Sequence, residues 1–273
     1  MSAKLEQLKT LLHSCGRTLV AYSGGVDSTF LAKVAGDVLG REALAVIADT
    51  PSLPRREFEE ALALAGKFGF AVRVVKTHEM ADPNYASNPA NRCYFCKSEL
   101  FDELKKIAAA EGWGTIVYGE NASDTGDFRP GAEAAKEYRV RAPLKEVGLT
   151  KAEIRELSAA LGLPTADKPA MACLSSRIPY GEPVTVEVLG MVEAAENVLR
   201  DAGFVEVRVR HHRNIARIEV GPGELARLLD GELRENICRE LKKIGYAYVT
   251  LDLQGYRRGS TNEVLTAGNN KEI

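Results

Sequence analysis

The run L-V-A-Y-S-G-G-V-D-S at residues 19–28 constrains the fold more than any other stretch of the chain. Its apolar part, which ends at Tyr22, predicts a buried parallel strand, and the apolar spacing behind the glycines predicts a helix. Gly24 and Gly25 let the backbone approach a ligand closely because they carry no Cβ. The N-terminus of the helix adds unpaired N–H donors and the positive end of the helix dipole. This strand, turn and helix together suit a pyrophosphate group.

Gly, Ser and Asp are common in any turn, so the residue types alone would also fit an ordinary connection. The complete string S-G-G-V-D-S directly after an apolar strand is a more specific indication than the residue types alone. It lacks the lysine of the Walker motif and the spacing of G-x-G-x-x-G, which argues against a P-loop kinase and a Rossmann dehydrogenase. It resembles the PP-loop of the ATP pyrophosphatases, enzymes that cleave ATP between the α and β phosphates to adenylate a substrate. The resemblance places ATP against Ala21, Ser23, Gly24, Gly25, Asp27 and Ser28.

Length and composition limit the class of protein. With 273 residues the chain is long enough for one α/β domain and a smaller partner domain. A net charge of −2 gives no field that would recruit nucleic acid or anionic lipid. No apolar run approaches the ~20 residues of a membrane span. Five cysteines at uneven positions, without a secretory apolar segment at the N-terminus, predict a reducing cytoplasm rather than a disulfide framework.

Strands that alternate with helices of about ten to fifteen residues predict a doubly wound parallel sheet over residues 1–182. The PP-loop resemblance makes this an α/β fold of the HUP-like kind. Ligands of such sheets bind at the carboxyl ends of the strands, so the turns after Tyr22, Ala48 and Tyr118 should meet at one cleft. We therefore expect Ala48 and Thr50 to contact the adenine or ribose of ATP. An Asx-type turn is the alternative for this segment.

The turn after the fourth strand carries the polar sequence G-E-N-A-S-D-T-G-D-F-R-P-G at residues 119–131. Asp124 and Asp127 supply carboxylates that would hold Mg²⁺ against phosphate oxygens. Arg129 would neutralise the leaving pyrophosphate. A solvated polar loop is the alternative. The predicted position of residues 119–131 beside the glycine turn at residues 23–28, called the phosphate turn below, instead favours binding of ATP and Mg²⁺. The residues assigned to the cofactor here are Gly119, Asn121, Asp124, Asp127 and Arg129.

Three cysteines suggest how the activated substrate is used. Cys93 and Cys96 form a C-x-x-C motif, and Cys173 lies in the segment A-C-L-S-S-R. A C-x-x-C motif serves zinc, redox and iron–sulfur sites alike, and zinc would need a fourth ligand, for which no residue stands out. Three thiolates without a fourth suit a 4Fe–4S cluster with one open iron, which could carry the sulfide to be transferred. The alternative is an inert C-x-x-C at a helix start and a small buried Cys173.

Five motifs together resemble the LarE family. They are S-G-G-V-D-S at 23–28, G-x-N-x-x-D-x-x-D-x-R-P-G at 119–131, R-A-P-L at 141–144, A-C-L-S-S-R at 172–177 and V-R-V-R-H-H at 207–212. The resemblance covers residues 15–262. It implies an ATP-dependent sulfur transferase that adenylates the carboxylates of pyridinium-3,5-biscarboxylic acid mononucleotide and converts them to thiocarboxylates. Two such conversions give the pincer ligand that binds nickel in the cofactor of lactate racemase.

The resemblance also implies the sulfur chemistry. Some members of the family sacrifice the sulfur of a single cysteine, which matches Cys173 here, and are left with dehydroalanine. Others have three cysteines and resemble cluster-dependent sulfur transferases, and Cys93 and Cys96 place this chain with them. The implied catalytic and cluster-binding residues are therefore Cys93, Cys96 and Cys173. A homo-oligomer, such as a hexamer, and an external sulfide donor are further expectations from the family.

Residues 183–273 have the composition of a second, smaller α+β domain with a disordered tail. Its predicted element order is helix, two strands, helix and strand. Period-two alternation puts Arg208, Arg210 and His212 on one face of the first of these strands. Such charges are commonly solvated, but arginines at these family positions would bind the phosphate and carboxylates of a mononucleotide. The resemblance assigns substrate binding to Ser176, Arg177, Arg208 and Arg210.

Other functions fit parts of this pattern. A tRNA 2-thiolation enzyme shares the PP-loop and the three cysteines, but it would need a basic stripe or an RNA-binding domain that the charge and length do not provide. A non-catalytic adenine-nucleotide sensor would use the same cleft without turnover. An amidating synthetase would need an ammonia source, and no glutaminase segment is visible in the sequence.

Overall fold

The computed structural model describes residues 3–124, 130–169, 172–257 and 259–263. The chain forms two compact units, each made of two separate segments. Unit 1 comprises Met1–Glu79 and Asn91–Met171, and unit 2 comprises Met80–Ala90 and Ala172–Ile273. The C-terminal tail that the sequence predicts to be disordered lies outside the described residues. The domain boundary at residue 182 that we expect from the sequence stays a prediction.

The elements are numbered in chain order. The helices are α1 (Ala3–Cys15), α2 (Val26–Leu39), α3 (Arg55–Phe68), α4 (Pro83–Ala86), α5 (Arg92–Glu111), α6 (Pro130–Glu137), α7 (Pro143–Glu146), α8 (Lys151–Ala160), α9 (Val186–Asp201) and α10 (Gly231–Ile244). The strands are β1 (Thr18–Tyr22), β2 (Ala43–Asp49), β3 (Val72–Lys76), β4 (Thr115–Tyr118), β5 (Val207–His212), β6 (Ile215–Val220) and β7 (Tyr248–Leu251). Helices α4, α9 and α10 and strands β5 to β7 belong to unit 2, and the others belong to unit 1.

Unit 1 is built on a four-stranded parallel sheet whose two faces are both covered. Alternate residues of a strand point to opposite faces of a sheet. In β1, Val20 and Tyr22 join a core formed with α1, α2, α3 and α8, whereas Leu19 and Ala21 join a core formed with α5 and α6. A parallel sheet packed by helices on both faces is doubly wound, so the predicted fold class is confirmed.

The order of the strands in this sheet is β3-β2-β1-β4. Chain order therefore reverses between β1 and β4, and open α/β sheets bind their ligands at the carboxyl edge of such a switch point. The pairing of Ala21 with Tyr118 sets the carboxyl ends of the two strands side by side, one residue before β1 ends at Tyr22. The glycine turn after β1 and the polar loop after β4 consequently start at the same crevice, as the sequence predicts.

The spacing T-x-x-E at residues 150–153 predicts a capping box, and helix α8 begins with one. The hydroxyl of Thr150 accepts from the backbone N–H of Glu153 at 3.3 Å, and the Glu153 carboxylate accepts from the backbone N–H of Thr150 at 2.9 Å. We expect Thr150→Ala to lower the free energy of unfolding by about 1 kcal/mol, because it leaves an N–H of the first turn unsatisfied. Chemical denaturation measures the change.

The control for this prediction is Thr10→Ala, which removes an exposed hydroxyl that bonds to the Glu6 carbonyl within α1. Surface changes of this kind shift stability by less than about 0.5 kcal/mol. An equal loss of stability in the two variants would contradict the capping role of Thr150.

Unit 2 contains a three-stranded sheet with the order β5-β6-β7. Strands β5 and β6 are antiparallel, whereas β6 and β7 are parallel. Helices α9 and α10 pack with this sheet around a core that includes Leu199, Val209, Ile218 and Leu241. The predicted element order of helix, two strands, helix and strand is therefore present.

The last helix of unit 2 is shorter than the sequence pattern suggests. We predict one helix over residues 225–244, but a 3₁₀ segment, Pro222–Leu229, precedes α10. The break occurs at Asp230, whose side chain accepts from the backbone N–H of Leu233 and so caps α10. Apolar spacing continues across the break, which is why periodicity alone did not find it.

A short segment, Met80–Ala90, belongs to unit 2 although the residues before and after it in the sequence belong to unit 1. The Asn88 amide donates to the Pro179 carbonyl at 2.7 Å, and the backbone N–H of Val184 donates to the Ala86 carbonyl at 2.8 Å. The Tyr85 hydroxyl lies 2.7 Å from the Ser175 hydroxyl. These contacts connect residues 80–90 to the part of unit 2 that follows Cys173.

Across the part of the chain that the structure describes, none of the helices combines the length and apolar character that crossing a bilayer requires.

Candidate functional sites

The turn after β1 is folded as a phosphate pocket requires. Gly24 has a φ of +73°, which side-chain-bearing residues rarely adopt, and a Cβ at this position would lie 2.6 Å from the Cβ of Ala61 in α3. Gly25 is the N-cap of α2 and supplies no side-chain hydrogen bond to the first turn. The Ser23 and Ser28 hydroxyls lie 3.0 Å apart. The turn thus offers hydroxyl groups and backbone N–H groups without covering them with side chains.

Gly119 brings the loop after β4 against the start of α2. A Cβ at Gly119 would lie 2.8 Å from the backbone nitrogen of Ser28 and 3.1 Å from the carbonyl carbon of Asp27. These are backbone atoms, which cannot rotate away as the end of a side chain can. Only glycine allows this approach, and the approach joins the two loops at the switch point of the sheet.

The described part of the loop after β4 is ordered by its own polar side chains. Asn121 is buried, its side-chain oxygen accepts from the Ser123 N–H at 2.9 Å, and its backbone N–H donates to the Asp124 carboxylate at 3.1 Å. The backbone of Ala122 donates to the Leu149 carbonyl at 2.8 Å, next to the start of α8. Residues 119–124 are thus an ordered turn in which Glu120 and Asn121 are buried and Ser123 is exposed, and the cofactor roles of Gly119, Asn121 and Asp124 stay predictions. Asp127 and Arg129 lie outside the described residues, and their roles stay predictions.

An ion pair that sequence reasoning missed lies at the phosphate turn. The Lys151 ammonium group donates to the Asp27 carboxylate at 2.7 Å, and the Lys151 backbone N–H donates to the Ser123 hydroxyl at 3.0 Å. Lys151 is the first residue of α8 and therefore contacts both loops of the crevice. Lys151 lies 124 residues after Asp27 in the sequence, so no local sequence pattern could predict their contact.

The carboxyl end of β2 carries a small polar cluster. Thr50 is buried, its hydroxyl bonds to the carboxylate of Glu79, and it lies 3.1 Å from the Ser52 hydroxyl. Glu79 is itself buried. Ala48 is half-buried at the end of the strand. The predicted contact of Ala48 and Thr50 with the adenosine of ATP stays a prediction. Sequence reasoning missed Glu79, which adds a buried carboxylate to this cluster.

The three cysteines lie in different parts of the fold. Cys93 is exposed and Cys96 half-buried in the first two turns of α5 in unit 1, where their i, i+3 spacing puts them on one helix face. Cys173 is half-buried in unit 2, immediately before the 3₁₀ turn Leu174–Arg177. Among the described residues, no three His, Cys, Asp or Glu side chains form a group that could hold a metal ion. The iron–sulfur cluster therefore stays a prediction.

Unit 2 gathers the predicted substrate residues into one buried ionic cluster. Arg177, Arg208 and Arg210 are 2%, 9% and 6% exposed, so the solvated strand face is excluded for the two strand arginines. Arg210 donates to the Glu219 carboxylate at 2.7 and 3.0 Å and to the Ser176 carbonyl at 3.0 Å. Buried charges need partners of this kind because losing water is costly.

Glu196 of α9 binds the other end of this cluster. It accepts from the Arg177 guanidinium at 2.8 and 3.1 Å, from Arg200 at 3.2 Å and from the backbone N–H of Val209 at 3.1 Å. Burial alone would raise the pKa of Glu196, but the nearby charges of Arg177, Arg200 and Arg208 outweigh burial, so its pKa lies below the usual value. Glu196 is thus held as an anion inside unit 2.

Arg208 has a different environment from its neighbours. Its guanidinium lies 4.9 Å from the ring centroid of Tyr256 and donates to the Val207 carbonyl at 2.7 Å. Burial, together with the positive charge of Arg177, lowers the pKa of Arg208, and Glu196 opposes that change. An additional anion such as a phosphate would relieve the repulsion among the clustered arginines.

Sequence reasoning also missed Glu196 and Glu219, although the position of Glu196 in the apolar pattern of α9 could have indicated its role. Glu196 lies four residues after Val192 and three before Leu199, on the face of α9 that is otherwise apolar. A lone acidic residue on such a face predicts a buried cation as its partner. No comparable pattern marks Glu219, because polar and apolar residues simply alternate from Ala216 to Val220 in β6.

Comparisons with known proteins find relatives over nearly the whole chain. The family model described as NAD synthase matches residues 2–91, which include the phosphate turn. An uncharacterized protein of Synechocystis sp. is 49% identical over 97% of this chain and 99% of its own length. The pyridinium-3,5-bisthiocarboxylic acid mononucleotide synthase of Lactiplantibacillus plantarum is 37% identical over 97% of this chain and 96% of its own length.

The chain belongs to the LarE family. The similarity to the Lactiplantibacillus member covers both units, so it includes the phosphate turn and the arginine cluster together. Membership also makes the chain an enzyme of the ATP-using PP-loop class. A more distant relative, an uncharacterized protein of Methanocaldococcus jannaschii, is 27% identical over 88% of this chain and 91% of its own length.

Proposed function

We propose that this protein is an ATP-dependent sulfur transferase that converts the carboxylates of pyridinium-3,5-biscarboxylic acid mononucleotide to thiocarboxylates. The observation that carries the proposal is the match, over nearly the full length of both chains, to the synthase of the bisthiocarboxylic product. The pocket at the switch point of unit 1 supports the nucleotide half of the reaction. The buried strand arginines of unit 2, Arg208 and Arg210, support the binding of an anionic substrate.

In the first step the substrate carboxylate attacks the α-phosphate of ATP, and pyrophosphate leaves. The turn at Ser23–Ser28 binds the phosphates through hydroxyl and backbone N–H groups, aided by the positive end of α2. Asp27 and Asp124, which follow neighbouring strands, are the described carboxylates that would hold Mg²⁺. Mg²⁺ would neutralise the charge that develops on the pyrophosphate. The acyl-adenylate that results has AMP as a good leaving group.

In the second step a sulfur nucleophile attacks the acyl carbon and AMP leaves. A bound sulfide would give the thiocarboxylate directly. The Cys173 thiolate would give a thioester, whose Cβ–S bond then breaks with loss of the Cα proton to leave the thiocarboxylate and dehydroalanine. We assign sulfur delivery to Cys173, with Cys93 and Cys96 as the other thiols of the three-cysteine family type. A 4Fe–4S cluster on these thiols would leave one iron open to an added sulfide. The number and type of the cysteines support the cluster, whereas the described residues group no three ligands in one place.

The proposal is tested on protein purified without oxygen and supplied with Mg²⁺-ATP, sulfide and the mononucleotide. We expect pyrophosphate and AMP to form with the mononucleotide thiocarboxylate, and no pyrophosphate to form when unmodified tRNA replaces the mononucleotide. Tight binding of AMP without turnover would instead indicate a nucleotide sensor. Turnover with tRNA would indicate a tRNA 2-thiolation enzyme.

Iron and sulfide counts, together with the intact mass after turnover, separate the two routes of sulfur delivery. A polypeptide of unchanged mass that retains iron supports the cluster. Loss of the mass of hydrogen sulfide from the polypeptide, with dehydroalanine at Cys173, supports the sacrificial route. Both results leave the proposed reaction in place and differ only in the source of sulfur.

Lys151 gives a prediction for the first step. We expect Lys151→Ala to weaken the binding of Mg²⁺-ATP by about tenfold, because the ammonium that pairs with Asp27 would turn to the phosphates once Mg²⁺ occupies the carboxylate. Calorimetric titration with a non-hydrolysable ATP analogue measures the affinity, with and without Mg²⁺.

Lys33→Ala is the matched control for Lys151, since Lys33 pairs with Asp37 within α2. The control should bind the analogue as the wild type does. If Lys151→Ala also binds it with wild-type affinity, Lys151 only stabilises the local fold and takes no part in phosphate binding.

A further inference from the structure

The turn that presents Cys173 is held by a buried guanidinium. The Nη1 atom of Arg177 donates to the Ala172 carbonyl at 2.7 Å, to the Cys173 carbonyl at 2.9 Å and to the Ser176 hydroxyl at 3.0 Å. The Ser176 hydroxyl in turn donates to the Cys173 carbonyl at 2.8 Å. The two peptide carbonyls that flank the Cα atom of Cys173 are therefore bound by the same guanidinium nitrogen.

The guanidinium is itself held from the opposite side. Its Nε and Nη2 atoms donate to the two carboxylate oxygens of Glu196 at 2.8 and 3.1 Å. Arg177 is 2% exposed and Glu196 is fully buried. A planar guanidinium can make this two-pronged bond and still direct its third nitrogen elsewhere, which an ammonium group cannot do. Its nitrogens are thus used within unit 2, away from solvent.

We propose that Arg177, fixed by Glu196, is a positioning residue that holds the Cys173 backbone in place for sulfur transfer. Arg177 then acts through Cys173 and does not bind the substrate directly, a narrower role than the family resemblance suggests. This inference rests on the proposed function for its activity readout. Holding the reacting atom within about an ångström of its correct place is worth up to about 100-fold in rate.

The test uses Arg177→Lys, which keeps a cation beside Glu196 but cannot span the carboxylate and both carbonyls. Arg177→Met is unsuitable alone, because it removes a cation from a buried carboxylate and is expected to lower the melting temperature strongly. The matched control is Arg200→Lys. Arg200 donates to the same carboxylate at 3.2 Å, and its described hydrogen bonds do not include the Cys173 turn.

The first readout does not depend on the reaction. Brief alkylation with iodoacetamide, followed by peptide mass mapping, gives the labelling rate of each cysteine in one sample, and Cys238 of α10 serves as the internal reference. We expect Arg177→Lys to raise the labelling rate of Cys173 by about threefold or more while Cys238 is unchanged. Equal rates in the variant and the wild type would overturn the proposal.

The second readout measures pyrophosphate release and thiocarboxylate formation separately. We expect Arg177→Lys to release pyrophosphate at the wild-type rate and with the wild-type KM for the mononucleotide, while thiocarboxylate forms about tenfold more slowly or worse. A raised KM for the mononucleotide, or slow pyrophosphate release, would mean that Arg177 contacts the substrate, and would overturn the positioning role. Wild-type thiocarboxylate formation would overturn it as well. If the wild type releases no pyrophosphate, the proposed function fails, and the labelling result still decides how Cys173 is held.

Discussion

Replacing Cys173 with alanine should abolish thiocarboxylate formation, by at least about 100-fold, while pyrophosphate release continues. The physical reason is that adenylation needs only the phosphate turn and the substrate carboxylate, whereas displacement of AMP needs a sulfur atom. The adenylate then accumulates or hydrolyses, so ATP consumption becomes uncoupled from product. Quantifying pyrophosphate and thiocarboxylate in the same reaction measures both steps.

Matched variants of the other cysteines sharpen this result. Cys238→Ala, in α10, should retain both steps. Cys93→Ala and Cys96→Ala distinguish the routes of sulfur delivery, because a cluster on three thiols needs both of them and a sacrificial Cys173 needs neither. Should Cys173→Ala form thiocarboxylate at the wild-type rate, the assignment of sulfur delivery to this residue is wrong, and the nucleotide half of the proposal survives alone.

Gly119→Ala should weaken the binding of Mg²⁺-ATP by about 10- to 100-fold, since overpacking against a rigid neighbour costs about 1–3 kcal/mol. The new Cβ would lie 2.8 Å from the Ser28 nitrogen. Neither atom belongs to a flexible side chain, so either the loop after β4 or the first turn of α2 must move. Both form the crevice, and a shift of either changes where the N–H groups of the turn point.

The control for Gly119 is Gly66→Ala, in the interior of α3. No atom lies within 4 Å of a Cβ at Gly66, and alanine is the better helix former by about 1 kcal/mol. This variant should bind ATP normally and unfold at the same temperature as the wild type or higher. Wild-type ATP affinity in a folded Gly119→Ala protein would show that the crevice is not the ATP site.

The two sites meet different physical requirements. In unit 1 the pocket depends on the absence of side chains, because Gly24 and Gly119 lie where a Cβ would strike Ala61 or the backbone of α2. In unit 2 the cluster depends on side chains that are charged and buried, such as Arg210 with Glu219. The first site suits an extended polyanion that approaches the backbone closely, and the second suits a compact anionic group held by guanidinium groups.

Local patterns were sufficient for much of the fold. The apolar run Thr18–Tyr22 predicts the bounds that β1 has, and Gly69 predicts the end of α3, which it closes as the C-cap. The capping box of Thr150 and Glu153 is also present. These features depend on neighbours close in sequence, through alternation, glycine conformation and the first unsatisfied N–H groups of a helix. Periodicity did not find the break at Asp230, because the apolar spacing runs through it.

The amino-acid sequence by itself determined the doubly wound sheet of unit 1, the phosphate turn and the identity of the residues that bear charge or sulfur. Only the tertiary structure decided which of those residues meet. It paired Lys151 with Asp27, buried Arg208 and Arg210, and set Arg177 between Glu196 and the carbonyl of Cys173. The reason is that periodicity and capping act over a few residues, whereas the partner of a buried charge is set by packing between distant segments, for which a single sequence carries no periodic signal.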